Sequence, residues 1–596
     1  MGLIANLQRD WATISGIRKL LKYTSDISPE STNLLADDLE RSVDRHRANV
    51  AVRFEGELMT YGELELLANR VAHWALAQGL KAGDAVSLFM GNCPEYIAIW
   101  FGLAKVGVVT GLINHNLSDE GLAHCVSIAD SKAIIFGVEQ AALLETARGH
   151  LADELTYWSF GQTDAGTDLK AALGEVSDAR PDRSHRAGLN GADLALFVYT
   201  SGTTGLPKAA KLVQGRTQGM MRTFVTPTGT TARDRVYITL PLYHGTGGLC
   251  AAGIALYTGA SMILRRKFSA SNFWDDVADQ GATVFVYIGE LCRYLLNQPE
   301  HPKERAHKLR TGFGNGLRPE IWQEFLDRFN VPSLVEFYGS TEGNVSFLNF
   351  DGKVGAVGRI PKLLEKKFDH VAFVKFDIEE EVPIRGEDGF CIVADPDEPA
   401  EVLGRVGTEA RTRFEGYNDP EATKKKLLRD VFETGDLWFR TGDLMRKDAD
   451  GYIYFVDRIG DTFRWKGENV STNEVGEALT GIDGIALANV YGVPIRGMDG
   501  KAGMGAITLN GDVDFEHLLD ELKGRLPAYA VPVFLRVQSE AETTGTFKYR
   551  KVDLVREGFD PEAVGEPVWF AHPDKRKYVL LTQEMYNSIL NGGFKF

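Results

Sequence analysis

Tyr199-Thr200-Ser201-Gly202-Thr203-Thr204-Gly205-Leu206-Pro207-Lys208 is the stretch on which the reading of this chain turns. It follows an apolar run at 194–198 and gathers two glycines, four Ser/Thr hydroxyls and a lysine. A strand that opens into such a loop can aim backbone N–H groups and hydroxyls at a phosphate. Lys208 adds a mobile positive charge. The run is not a Walker A loop, which needs four residues between its glycines and then Gly-Lys-Ser/Thr. Here only Thr203 and Thr204 separate Gly202 from Gly205, and Pro207 precedes the lysine. A plain surface loop has the same composition, so the phosphate reading needs support from the rest of the chain.

At 596 residues the chain exceeds one ordinary core, and roughly two to four domains are expected. The net charge of −16 argues against broad nucleic-acid binding, which needs a basic face. Five scattered cysteines with no CxxC pair suggest a reducing, cytoplasmic setting, with no disulfide framework and no zinc site. Residues 1–24 lack a signal-peptide pattern but alternate Leu3, Ile4, Leu7, Trp11, Ile14, Ile17, Leu20 and Leu21 with Arg9, Arg18, Lys19 and Lys22. Such a helix either docks on the body or lies on the inner face of a membrane as a peripheral contact. The longest apolar stretch, 96–113, carries Lys105 near its middle, which is expensive in lipid. It reads as a buried helix followed by a strand.

Strand–helix alternation recurs from 50 to 347, with Thr60 and Glu63 spaced as a capping box. The pattern predicts an α/β body of layered, mostly parallel sheets. From 371 to 393 the texture changes to short strands with polar turns, a small antiparallel β unit. Strand–helix alternation resumes after Asp457-Arg458-Ile459-Gly460-Asp461. The expected division is an amphipathic segment 1–28, a large domain 29–457, and a smaller, mobile α+β domain 458–596.

Four other segments join glycines to polar groups beside an apolar strand: Pro241–Gly248, Gly312–Leu317, Phe337–Asn344 and Phe439–Leu444. Any one could be a turn. Several such loops in one α/β body are better explained by a shared ligand cleft at the strand ends.

In this order the segments resemble the adenylate-forming superfamily of acyl-CoA synthetases, luciferases and peptide-synthetase adenylation domains. The resemblance runs from about 51 to 551 and includes Gly416-Tyr417-Asn418-Asp419-Pro420-Glu421-Ala422-Thr423. The run from Asp457 to Thr472 resembles the signature of fatty-acid transport proteins and very long-chain acyl-CoA synthetases. Residues 287–296, 314–319 and the tail 578–596 point the same way.

That resemblance implies a ligase acting in two steps. A fatty carboxylate attacks the α-phosphorus of ATP to give acyl-AMP and pyrophosphate. The thiol of coenzyme A then displaces AMP. It implies that Thr200, Ser201, Gly202, Thr203, Thr204, Gly205 and Lys208 hold the β- and γ-phosphates. Thr341 contacts the α-phosphate, beside Gly339 and Ser340, and Glu342 is the Mg²⁺ carboxylate. Tyr338 stacks on adenine, with Gly314, Asn315 and Gly316 lining its pocket. Asp443 and Arg458 take the ribose. Lys548 is the catalytic lysine brought from the small domain, and Gly460 or Asp461 is the hinge. His244, Tyr287 and Gly289 flank the acyl group, Gly289 leaving room for the chain. In isolation Glu342 is equally a helix N-terminal acid, Asp443 a turn residue and His244 a structural histidine. The implied partners are a long- or very long-chain fatty acid, ATP and coenzyme A, with no nucleic acid; a homodimer is left open. The alternatives are an acyl-AMP ligase serving a carrier protein, a ligase for another bulky carboxylate, and a fatty acid permease.

Overall fold

The computed structural model describes residues 3–200, 206–498, 500–539 and 551–594. The capping box forms as read. Thr60 accepts a hydrogen bond from the Glu63 amide, and the Glu63 carboxylate accepts from the Thr60 amide at 2.7 Å, opening the helix Tyr61–Ala77. Residues 96–113 form the end of the helix Pro94–Lys105 and the buried strand Val109–Leu112. The Lys105 ammonium is fully buried, held by Glu40 at 2.7 Å and Glu65 at 3.4 Å. Arg186 reaches Glu40 and Asp37, each at 2.7 Å. Buried charges need such partners.

Two sheets build the body. One runs in the order Thr167–Asp168, Thr156–Phe160, Ser131–Gly137, Ala85–Phe89, Val109–Leu112, Leu194–Thr200, Lys208–Val213. It is parallel except at the Leu194–Thr200 and Lys208–Val213 hairpin, which flanks the Ser/Thr/Gly loop. The other runs Ser346–Leu348, Leu334–Gly339, Thr311–Asn315, Val284–Ile288, Arg235–Ile238, Ser261–Leu264, Val50–Phe54, Glu57–Thr60, and only its two outer pairs are antiparallel. Crossover helices cover the sheets, so their strands are apolar on both faces. One core joins both sheets, from Leu88 and Val198 to Ile238 and Phe313.

A third, antiparallel sheet contains Val371–Asp377, Ala400–Arg405, Leu437–Lys447 and Tyr452–Arg458. A further sheet runs Ile485–Pro494, Lys501–Leu509, Phe534–Gln538, Val568–His572, Lys577–Leu580. Its core lies wholly within 463–589. Between this core and the body the contacts include polar ones. Arg293 donates to the Ala486 carbonyl at 3.1 Å, Arg318 to the Thr480 hydroxyl at 3.0 Å, and Arg464 pairs with Glu379. Glu477 faces Glu320, and burial first, then that second carboxylate, push its pKa up to about 7.

The helix Leu3–Thr24 docks one face on the body. Asp10 pairs with Arg359 at 2.8 Å, Thr13 is buried, and Gly16 lies so close to the Phe350 ring that no side chain would fit. Its other face carries Trp11, 72% exposed, and Leu21, 60% exposed, among exposed Arg18, Lys19 and Lys22.

Candidate active site

Three neighbouring parallel strands end together. Their register aligns Tyr287 with Gly314 and Gly314 with Glu336. The loops beyond these C-terminal ends are where open α/β sheets bind ligands. Gly314, Asn315 and Gly316 leave one strand, and Tyr338, Gly339, Ser340, Thr341 and Glu342 leave the next. The Asn315 side-chain oxygen is buried and has no hydrogen-bond partner.

Glu336 stands behind this row, fully buried. Its carboxylate accepts from the Tyr287 hydroxyl at 2.8 Å and from the Leu317 amide at 3.0 Å. Burial pushes its pKa up to about 8, against those hydrogen bonds. A Cβ on Gly289 would collide with the Gly316 carbonyl, so Gly289 must stay bare for this crossing alone. Tyr287 and Gly289 thus pack against the Gly314–Gly316 segment. His244 lies on another side. Its Nδ1 accepts from the Thr246 amide at 3.4 Å, capping the wide helical turn Gly245–Ala251. A Cβ on Gly245 would sit 3.7 Å from the Thr341 hydroxyl, which places this loop beside Thr341.

The third sheet closes the cleft. Tyr338 donates to Asp443 Oδ2 at 2.5 Å. Asp443 pairs in register with Arg458, whose Nε lies 3.7 Å from Oδ1. Burial raises the Asp443 pKa while Arg458 opposes it. Beyond Arg458 the chain turns at Gly460, φ +91°, a left-handed conformation suited to glycine, with nothing within 4 Å of an added Cβ. Asp461 receives the Lys551 ammonium at 3.0 Å.

The turn bearing Thr341 and Glu342 is gripped from below by Arg216. Its guanidinium donates to the Thr341 carbonyl at 2.7 and 3.0 Å, to the Ser340 carbonyl at 3.1 Å and to the Gly343 carbonyl. Burial lowers its pKa. The carbonyls face the arginine, which holds the turn in one shape. Arg216 belongs to the helix Gln214–Thr223, one residue past the strand that begins at Lys208. Glu342 Oε1 accepts from the Tyr417 hydroxyl at 2.7 Å, and the Lys208 ammonium lies 5.7 Å from the centre of the Tyr417 ring. Thr200 pairs with Lys208 across the hairpin. Ser201, Gly202, Thr203, Thr204, Gly205 and Lys548 lie outside the described residues.

Among the described residues no salt bridge engages Glu342, and no three His, Cys, Asp or Glu side chains form a metal cage. A single carboxylate such as Glu342 fits Mg²⁺, which prefers one or two carboxylates plus phosphate oxygens and water.

A doubly layered α/β body with these groups meeting at its strand ends defines the adenylate-forming class of enzymes. The profile of the AMP-binding enzyme family matches residues 39–389. Long-chain fatty acid transport protein 6 of Mus musculus is 43% identical over 547 residues, spanning 90% of this chain and 87% of its own. Among solved structures, an anthranilate CoA ligase bound to anthranoyl-AMP superposes with a TM-score of 0.75 at 21% identity, covering 89% of this chain and 98% of that one. A Mycobacterium tuberculosis fatty acyl CoA synthetase superposes with a TM-score of 0.62 at 23% identity, covering 88% and 98%. The chain belongs to the AMP-binding enzyme family, and within it to the group of fatty acid transport proteins.

Proposed function

We propose that this AMP-forming ligase activates a long- or very long-chain fatty acid with ATP and passes the acyl group to coenzyme A. The observation that carries the reading is the meeting of the Thr341–Glu342 turn with the Tyr338–Asp443 pair beside the hairpin that ends in Thr200 and Lys208. The first step brings two anions together and loads charge on the α-phosphoryl oxygens. It needs fixed donors, a cation and orientation. In this reading the loop 200–208 binds the leaving β- and γ-phosphates, and Thr341 donates to the α-phosphate. Asp443 accepts from the ribose hydroxyls, supported by Arg458, and Tyr338 packs on the base. Glu342 would hold Mg²⁺, which when bound neutralises phosphate charge. Lys548 supplies the remaining positive charge from the small domain 458–596, which turns about Gly460 or Asp461.

The fatty substrate follows from the names of the relatives. His244 precedes Gly245, which lies beside Thr341, and suits the carboxylate end. The outward Trp11 and Leu21, among basic residues, suit contact with a membrane holding a lipid-dissolved substrate. No helix among the described residues is long and apolar enough to cross a membrane, so uptake is better served by trapping the acid as its thioester than by a permease.

The test is acyl-CoA formation across chain lengths, with Lys548→Ala measured in each half-reaction. Loss of adenylation with retained thioester formation from supplied acyl-AMP is expected. Acyl-AMP that accumulates with no coenzyme A-dependent thioester points instead to a carrier-protein ligase.

A further inference from the structure

Tyr417 belongs to the run Gly416–Thr423, and its surroundings tie together three parts of the nucleotide cleft. The segment Gly416–Asn418 pairs with the outer edge of the strand Lys208–Val213. The Lys211 amide donates to the Gly416 carbonyl at 3.1 Å, the Asn418 amide to the Ala209 carbonyl at 2.9 Å, and Ala210 and Tyr417 form an antiparallel bridge. From the other side the Tyr417 amide donates to the Thr423 hydroxyl at 2.9 Å. Asp419 caps the helix Pro420–Lys425 that carries Thr423. The ring is 4% exposed. Backbone and burial leave the phenol one direction to point.

That direction is Glu342. The hydroxyl donates to Oε1 at 2.7 Å, Thr200 lies within hydrogen-bonding reach of it, and Lys208 sits over the ring. A carboxylate at the tip of a turn has free rotamers, and holding one of its oxygens removes most of that freedom. The bond engages only Oε1 and leaves the other oxygen outside it. Because Tyr417 is bonded to the strand that begins at Lys208, the carboxylate is aimed relative to the phosphate loop rather than only to its own turn.

We propose that Tyr417 is the positioning residue for the cation site: it orients the Glu342 carboxylate and couples it to Thr200 and Lys208. The inference rests on the reading of Glu342 as the Mg²⁺ carboxylate. Tyr417→Phe removes the hydroxyl and keeps the ring, its packing and its contact with Lys208. A second-shell hydrogen bond of this kind typically changes metal affinity about 10-fold or more when lost.

The test is calorimetric binding of ATP to the full-length protein at stepped free Mg²⁺, without acyl substrate, alongside AMP binding without metal. Tyr417→Phe should raise the Mg²⁺ concentration needed for half-maximal ATP binding by about 10-fold or more. AMP affinity and melting temperature should stay at wild-type values. Glu342→Gln is the reference and should lose most of the Mg²⁺ dependence. A wild-type Mg²⁺ profile in Tyr417→Phe, with the dependence lost in Glu342→Gln, overturns the role of Tyr417 and leaves the cation site standing. A wild-type profile in Glu342→Gln overturns the cation site and the inference with it. Equal weakening of AMP and Mg²⁺–ATP binding in Tyr417→Phe reduces the residue to a packing role and also overturns the proposal.

Discussion

Glu336→Gln separates the chemistry of a buried proton from the packing around it. The wild-type carboxyl accepts from Tyr287 at 2.8 Å and Leu317 at 3.0 Å, and burial raises its pKa from 4.5 to about 8. At neutral pH the folded chain therefore keeps a proton that the unfolded chain has released. The contribution to stability is whole below about pH 4.5, is lost as pH rises toward about 8, and is constant beyond. The slope is about 1.4 kcal/mol per pH unit, so the limiting loss is about 5 kcal/mol. Glutamine carries no such slope. Its amide oxygen can take the Leu317 N–H, and its amide nitrogen can donate to the Tyr287 oxygen, which turns to accept. Between pH 5.5 and 7.5 the variant should gain about 3 kcal/mol on the wild type. For a chain of 596 residues that is roughly 2 to 3 °C of melting temperature. Differential scanning fluorimetry at one fixed scan rate reads it, since large proteins often unfold irreversibly. A difference in melting temperature that stays constant across that range refutes the reasoning, because the buried carboxyl would then not be exchanging its proton there.

Other perturbations read other parts of the cleft. Arg216→Met leaves the Ser340, Thr341 and Gly343 carbonyls without their donor, each at about 1–3 kcal/mol; ATP–pyrophosphate exchange should fall at least 100-fold with the circular dichroism spectrum kept, and a wild-type rate would remove Arg216 from the machinery. Gly460→Ala meets no atom within 4 Å but strains a φ of +91° by about 1–2 kcal/mol. It should slow thioester formation and spare adenylation in single-turnover assays, whereas equal change in both would argue against a pivot there. Trp11→Ser with Leu21→Ser alters only the outward face of the first helix. Soluble turnover should hold within about twofold while co-sedimentation with anionic vesicles drops, a contact of the kind expected for an interfacial helix; unchanged sedimentation would rule that face out as the contact.

What could be read in the sequence followed the range of the interactions. The Thr60–Glu63 box is a three-residue relationship, and it formed as read. The Gly- and Thr-rich ends of strands were visible because each motif is contiguous. Arg216 was invisible: it serves carbonyls 124 to 127 positions away, which have no side-chain signature. Glu336 lies inside the strand Leu334–Gly339 with no motif around it, and its partners arrive from two other strand ends. Gly289 was read as space for a chain, while the structure supplies a nearer demand in the Gly316 backbone. The outward helix 3–24 was left open between docking and membrane, and the same helix has one face for the body and another that is free of it.

The pairing of Glu320 with Glu477 joins the helices Pro319–Phe329 and Thr472–Thr480, which belong to different cores. When Glu477 carries its proton, one carboxyl donates to the other. When it is ionised, two anions meet across the seam with Arg318 as the nearby counter-charge. The contribution of that proton to the seam is whole below about pH 4.5, is lost as pH rises toward about 7, and is constant beyond. The other polar contacts named across it are two hydrogen bonds, which water can replace at little net change in free energy, and the exposed Arg464–Glu379 ion pair, itself worth about 1 kcal/mol or less. In the proposed rotation of the small domain, solution acidity below neutrality would act as a soft throttle on how readily the two bodies part. Energy transfer between dyes on the two bodies should decline from pH 5 to 7 and lose that decline in Glu477→Gln; a flat wild-type trace would mean the seam ignores the proton.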